Sequence, residues 1–213
     1  MNIASIIDHT LLRPDATGEM IEKLCGEAVE YQFYSVCINP LWVPFASELL
    51  TEESPLVCSV AGFPLGASPL VEKEAEWAVA NGAGEIDMVL PVGLLKQGDN
   101  AGVLQVISKV VNVVPDTPVK VILETCLLTD EEKVTACSIS MDAGAAFVKT
   151  STGFSKSGAT LHDVRLMSKS VGQFMGIKAS GGVRNYDTAI SMLEAGATRI
   201  GTSSGITIVN GSK

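Results

Sequence analysis

The chain has 213 residues, 46% of them hydrophobic and 18% charged, with a formal net charge of −9. That apolar share excludes a disordered chain, and a pI near 4.7 excludes a general nucleic-acid binder, which needs a basic footprint. The acid excess is uneven: residues 1–106 carry fifteen acids and four bases, whereas residues 107–213 carry nine acids and eleven bases.

Short β-branched runs recur in chain order at SIIDHT (5–10), YSVCIN (34–39), LVCSVAG (56–62), EIDMVL (85–90), VKVILET (119–125), AFVKTST (146–152), GIKASG (176–181) and RIGTSSG (199–205). Continuous runs of this kind suit strands buried on both faces of a parallel sheet. Between the third and fourth, SPLVEKEAEWAVANG puts Val71, Ala75, Ala78 and Val79 on one helical face, with Glu72, Lys73, Glu74 and Glu76 off it. Thr129 and Glu132 read as a capping box, and Gly82, Gly144 and Gly196 as helix C-caps. Trp42 and Trp77 read as packing residues.

A weak repeat sharpens the fold. NGAGEID (81–87), DAGAAFVK (142–149) and EAGATRIG (194–201) each run from a helix end through Gly-Ala into a strand. Five residues beyond the glycine stand Asp87, Lys149 and Gly201, and Lys120, Lys149 and Lys178 are spaced by 29 residues. Roughly eight βα units of that length fill a chain of this size. The prediction is a single-domain α/β protein, a (β/α)8 TIM barrel over residues 1–213. An open doubly wound sheet is the rival, but the first βα turn lacks a G-x-G-x-x-G fingerprint.

Strand phase then points to chemistry. Val148 and Ile177 belong on the helix-facing side, which turns Lys149 and Lys178 inward, and Ile86 and Met88 do the same for Asp87. Inward charges need partners and mark functional sites. An amine must be neutral to attack a carbonyl, and a second cation nearby with partial desolvation lowers its pKa. A lysine pair beside an acid is therefore the equipment of a Schiff-base aldolase, with Asp87 moving protons or holding Lys178 charged. Phase does not decide which lysine is the nucleophile.

The loops after the last strands supply an anion site. ASGGVR (179–184) and GTSSG (201–205) follow strands seven and eight, where many barrels bind phosphate. Gly181, Gly182 and Gly201 let the backbone approach the ligand, Ser203 and Ser204 add hydroxyls, and TSTGFSKSGAT (150–160) brings Gly153 beside them. Asp8, Thr10, Cys37, Asn39 and Glu124 lie near strand ends as supporting candidates, with Cys37 read first as a small buried hydrophobe. His9 reads as a hydrogen-bonded structural residue, and His162 as a solvated one. No His/Asp/Glu group has metal-ligand spacing.

These motifs, together with IDHTLLRPDAT (7–17), GFPLGA (62–67) and KVILETCLLTDEE (120–132), run in the same order as in deoxyribose-phosphate aldolases, and the chain resembles that family over nearly its whole length. FVKTSTGF (147–154) and IKASGGVR (177–184) carry the resemblance most specifically. It implies reversible cleavage of 2-deoxy-D-ribose 5-phosphate to D-glyceraldehyde 3-phosphate and acetaldehyde, with no metal and no organic cofactor. It also implies that Lys149 is the Schiff-base lysine, Lys178 the second lysine and Asp87 the proton-relay acid; Lys120, from its even spacing with the other two, is a further supporting candidate.

The chain departs from the pattern in two places. Phe154 stands where some members have a lysine after the TSTG turn, leaving open whether Lys156 replaces it. The chain also stops at Asn210-Gly211-Ser212-Lys213, without the longer tyrosine-ended tail of some members. The expected partners are phosphorylated sugars and aldehydes rather than nucleic acid, and a homo-oligomer, dimer or tetramer, is left open.

No apolar run approaches the roughly 18 to 20 residues of a membrane span. MNIASIIDHT lacks a basic n-region, and the five cysteines include no CxxC pair, so the expected location is the cytoplasm. Rival readings are a phosphate-binding barrel isomerase or synthase that uses lysine only as a clamp, a pyridoxal-phosphate barrel, and a non-catalytic sugar-phosphate sensor.

Overall fold

The computed structural model describes residues 2–50 and 55–211, so Ser212 and Lys213 of the chain end discussed above lie outside the described residues. Eight parallel strands close into one barrel in sequence order: β1 (Ile7–Leu11), β2 (Ser35–Ile38), β3 (Leu56–Ala61), β4 (Glu85–Val89), β5 (Val119–Ile122), β6 (Phe147–Lys149), β7 (Gly176–Ser180) and β8 (Arg199–Thr202). The seam closes by pairing Asp8 of β1 with Gly201 of β8.

Helices α1 (Gly18–Tyr31), α2 (Val43–Leu49), α3 (Val71–Ala80), α4 (Val92–Lys96), α5 (Asn100–Val113), α6 (Asp130–Asp142), α7 (Leu161–Val171), α8 (Tyr186–Glu194) and α9 (Gly205–Asn210) connect or follow the strands. None of these is long and apolar enough to cross a membrane.

The alternation of strand side chains divides the interior in two. Outward residues such as Ile7, Val36, Val57, Ile86, Val121, Val148, Ile177 and Ile200 form one continuous core with the inner faces of the helices. That packing is the main stabilising term, at roughly 25 cal/mol per Å² of apolar area removed from water. Inside the barrel, Leu12, Cys37, Cys58 and Val60 form a separate small cluster. Much of the rest of the interior is charged, with Asp8, Glu85, Asp87, Lys120, Lys178 and Arg199 all buried there.

Local signals set the helix ends as expected. Thr129 Oγ1 accepts from Glu132 N at 3.3 Å while the Glu132 carboxylate accepts from Thr129 N at 2.8 Å, completing the capping box of α6. Gly82, with φ +108°, follows α3 in a conformation that side chains resist.

Three expectations need correction. All eight strands are shorter than their apolar runs, most of all five, six and eight: Ser5 and Ile6 lie in a 3-10 turn before β1, and the chain leaves the barrel wall after Ile122, Lys149 and Thr202. Trp77 is 45% exposed, because it lies about 200° around α3 from the buried Ala75. The even spacing of the three lysines does not put them in one layer. Lys149 pairs directly with Lys178, but Lys120 pairs with Phe147 and so sits two residues deeper, because barrel closure staggers the strands.

Candidate active site

Lys149 is the last residue of β6, and this places its side chain at the C-terminal mouth of the barrel. There it lines a cavity of about 310 Å³ with Thr10, Thr152, Gly153, Ser180, Gly181, Gly182, Gly201 and Ser203. Lys178, in the middle of β7, is completely buried beside it. Asp87 comes from β4 across the barrel, and its Oδ2 lies 2.7 Å from both Lys149 Nζ and Lys178 Nζ. The two ammonium groups therefore share one carboxylate oxygen instead of facing each other bare.

The other oxygen of Asp87 is engaged as well. Lys120 Nζ donates to Oδ1 at 2.8 Å, and the Cys58 thiol donates to it at 3.2 Å. Cys37, also fully buried, turns its Sγ to 3.8 Å from Oδ2, so it faces the charged cluster as well as belonging to the small apolar group. Asp8 pairs with Lys178 at 2.5 Å and with Arg199 at 2.9 Å, while Glu85 pairs with Lys120 at 2.7 Å and with Arg199 at 3.1 Å. Three carboxylates thus face four cations.

Electrostatics follow from this arrangement. Burial alone would push the Asp87 carboxyl up, but Lys120, Lys149 and Lys178 hold it well below the usual carboxylate range. Burial would push the Lys178 ammonium down, and the carboxylates of Asp8 and Asp87 more than offset this and hold it well above the ordinary lysine value. Asp8 is set the same way as Asp87: burial raises it, Lys178, Lys120 and Arg199 lower it, and it settles at about 2.

The glycine-rich loops meet on one side of the mouth. Ser180 Oγ donates to Ser151 O at 2.6 Å, and Ala159 N donates to Gly181 O at 2.9 Å, which holds the segment after Lys149 against ASGGVR. At Gly182, with φ +82°, the space a Cβ would enter is open, as an approaching ligand requires. Gly201 is needed for a different reason. A Cβ there would lie 2.8 Å from Lys178 Cε, so the lysine stem crosses where a side chain would stand.

Glu124, in the left-handed region at φ +54°, accepts from Thr152 N at 3.2 Å and from the Thr152 hydroxyl, fixing the loop three residues after Lys149. Thr10 lines the cavity and donates to Asp8 O at 2.8 Å.

Not every expected residue comes to the mouth. Ser204 lies at the start of α9 rather than among the lining residues, and Asn39 spends its amide on Leu12 O at 3.1 Å. His9 Nε2 is 2.8 Å from the Glu27 carboxylate, a structural pairing, and His162 pairs on the surface with Asp130 at 2.7 Å. Phe154 does line the cavity, half exposed and edge-on to Phe63, whereas Lys156 is exposed and is not among the lining residues.

Arg13, Arg184, Cys58, Glu85 and Arg199 escaped the sequence reading. Glu85 stands two residues before the inward Asp87 and Arg199 two before Gly201, so period-two alternation was the available signal.

Groups able to ligate a metal also come together: Cys37, Cys58 and Asp87; Asp8, Cys58 and Glu85; and Asp130, His162 and Asp163. In each, an ammonium or guanidinium already contacts the carboxylates, from Lys120, Arg199 and Lys133 respectively. None of the three was visible as a sequence spacing.

Comparison with known proteins is consistent from sequence to structure. A family model described as DeoC/LacD family aldolase matches residues 3–211. A deoxyribose-phosphate aldolase of Brevibacillus brevis is 60% identical, over 100% of this chain and 97% of its own length. One from Carboxydothermus hydrogenoformans is 56% identical, over 98% and 94%. A tetrameric deoxyribose phosphate aldolase from Aeropyrum pernix superimposes with a TM-score of 0.92 at 36% identity, covering 98% of this chain and 89% of that one.

Proposed function

The chain belongs to the DeoC/LacD aldolase family, and from that premise we propose that Lys149 is the residue through which it works. The protein is an aldolase that reversibly cleaves 2-deoxy-D-ribose 5-phosphate to D-glyceraldehyde 3-phosphate and acetaldehyde. One observation carries the assignment of Lys149. Among the described residues it is the lysine that lines the cavity, and it has one carboxylate partner, shared, whereas Lys178 and Lys120 have two each. Asp8 and Asp87 keep Lys178 an ammonium, so it serves as a charge and proton donor rather than as a nucleophile.

In the forward direction the Lys149 amine attacks C1 of the open-chain sugar, and loss of water gives an iminium. Removal of the C3 hydroxyl proton breaks the C2–C3 bond, and its electron pair passes into the iminium to form an enamine. D-glyceraldehyde 3-phosphate leaves. Protonation at C2 and hydrolysis then release acetaldehyde and restore the amine. In this mechanism Asp87 relays protons between the lysines and water, a role supported by its contact with both through one oxygen.

The substrate phosphate takes the glycine-rich side of the cavity, at Gly153, Gly181, Gly182, Gly201 and Ser203, with Arg13 and Arg184 also among the lining residues. Five unpaired cysteines fit a reducing cytoplasm. The tetrameric relative supports self-association, which light scattering would measure.

Incubation with acetaldehyde and borohydride, followed by peptide mass mapping, tests the central assignment. The expected result is a two-carbon addition on Lys149, absent in Lys149→Arg together with nearly all turnover. An unmodified Lys149, or an adduct confined to Lys178, overturns it.

A further inference from the structure

Among the residues that no part of this reading yet employs, Glu85 and Arg199 stand out. They lie below the mouth, 1% and 6% exposed, and neither lines the cavity. With four others they close a ring of alternating charge. Lys120 meets Glu85 at 2.7 Å, Glu85 meets Arg199 at 3.1 Å, and Arg199 meets Asp8 at 2.9 Å. Asp8 meets Lys178 at 2.5 Å, Lys178 meets Asp87 at 2.7 Å, and Asp87 returns to Lys120 at 2.8 Å. Three anions and three cations make the ring neutral. Among the described residues Lys149 joins it through Asp87 alone, as one added cation.

We propose that Glu85 and Arg199 are positioning residues for the aldolase reaction, closing the neutral ring so that Lys149 is left as its single uncompensated charge. The inference rests on the Schiff-base role of Lys149 and deepens it. Buried pairs are weak sources of stability, because desolvation offsets most of the attraction. A closed ring of six such groups is therefore better explained by what it does to a seventh. Arg199 is also held from outside the ring, with its guanidinium carbon 3.4 Å from the centre of the Tyr34 ring, so its position does not depend on the ion pairs alone.

Every other strand presents a charged or titratable group to this interior: Asp8, Cys37, Cys58, Asp87, Lys120, Lys178 and Arg199 from β1, β2, β3, β4, β5, β7 and β8 in turn. Near Lys149 itself the balance is local, with Asp87 and Lys178 in contact through one oxygen. A unit charge changed elsewhere on the ring acts through the low-dielectric interior, and moves a protonation midpoint by about one pH unit.

The test is the pH midpoint of acetaldehyde adduct formation at Lys149, read by borohydride trapping in the full-length protein. Glu85→Gln removes an anion and should move the midpoint down by about one unit, since the extra positive charge favours the neutral amine. Arg199→Gln removes a cation and should move it up by a similar amount. The double variant restores charge balance and should return the midpoint close to wild type, even if its rate stays low.

Arg199→Lys keeps the charge and should keep the midpoint, which covers the case where a Gln variant does not fold. Shifts of the same sign in both single variants, an unmoved midpoint, or a moved midpoint in Arg199→Lys overturns the proposal. Absence of any Lys149 adduct in the wild type would instead overturn the assignment of Lys149 itself.

Discussion

Lys149 and Lys178, side by side on adjacent strands, each place Nζ 2.7 Å from the same oxygen of Asp87. The sequence suggested that like-charge repulsion between the two lysines tunes the nucleophile. The shared oxygen makes this a three-body arrangement, in which Asp87 sets how strongly each ammonium is held. Asp87→Asn removes that anion from three lysines at once. Turnover should fall by roughly 10²–10⁴-fold, the usual worth of a positioned acid–base group. Urea unfolding should show a loss of about 3–5 kcal/mol, as for a broken buried ion pair. Near-wild-type turnover in a folded variant would remove Asp87 from the mechanism.

The phosphate side is tested at Ser203, which is exposed and lines the cavity. Ser203→Asp sets a negative charge against the substrate phosphate. KM for 2-deoxyribose 5-phosphate should rise roughly tenfold, about 1.4 kcal/mol. Values for unphosphorylated 2-deoxyribose should stay within about twofold. Equal damage to both sugars would mean that this loop does not hold phosphate.

Gly201 gives a steric prediction. In Gly201→Ala the new Cβ would sit 2.8 Å from Lys178 Cε and 3.0 Å from Ser180 Cβ, so the lysine stem must shift. A displacement of this kind at an active site costs up to about a hundredfold in rate. We expect kcat to fall while borohydride still traps an adduct on Lys149. An unchanged kcat would show that the position of Lys178 is not critical.

Acid stability follows from Asp8. Its folded pKa of about 2 lies below the ordinary 3.8, so its stabilising contribution is complete above the ordinary value and is lost as pH falls from about 4 to 2. The size is on the order of 2 kcal/mol. Asp87 titrates in the same direction and adds to the slope. Asp8→Asn should lower stability at pH 7 and flatten the dependence between pH 4 and 2, measured by urea midpoints. A slope identical to wild type would place the acid sensitivity elsewhere.

Much of this protein was legible in one dimension. Parallel-strand runs, the helical face around Ala75 and the capping box at Thr129 specify the barrel locally, because hydrophobic period and turn chemistry are short-range signals. Strand phase likewise turned Lys149, Lys178 and Asp87 inward, since alternation within a strand is a local property. What only the tertiary structure decided is level and company. Barrel stagger dropped Lys120 a layer below its evenly spaced partners. Closure of the seam brought Arg199 to Asp8, 191 residues apart in sequence. Spacing along the chain carries no information about stagger between strands, so the ring that isolates Lys149 as the odd charge exists only once the barrel has closed.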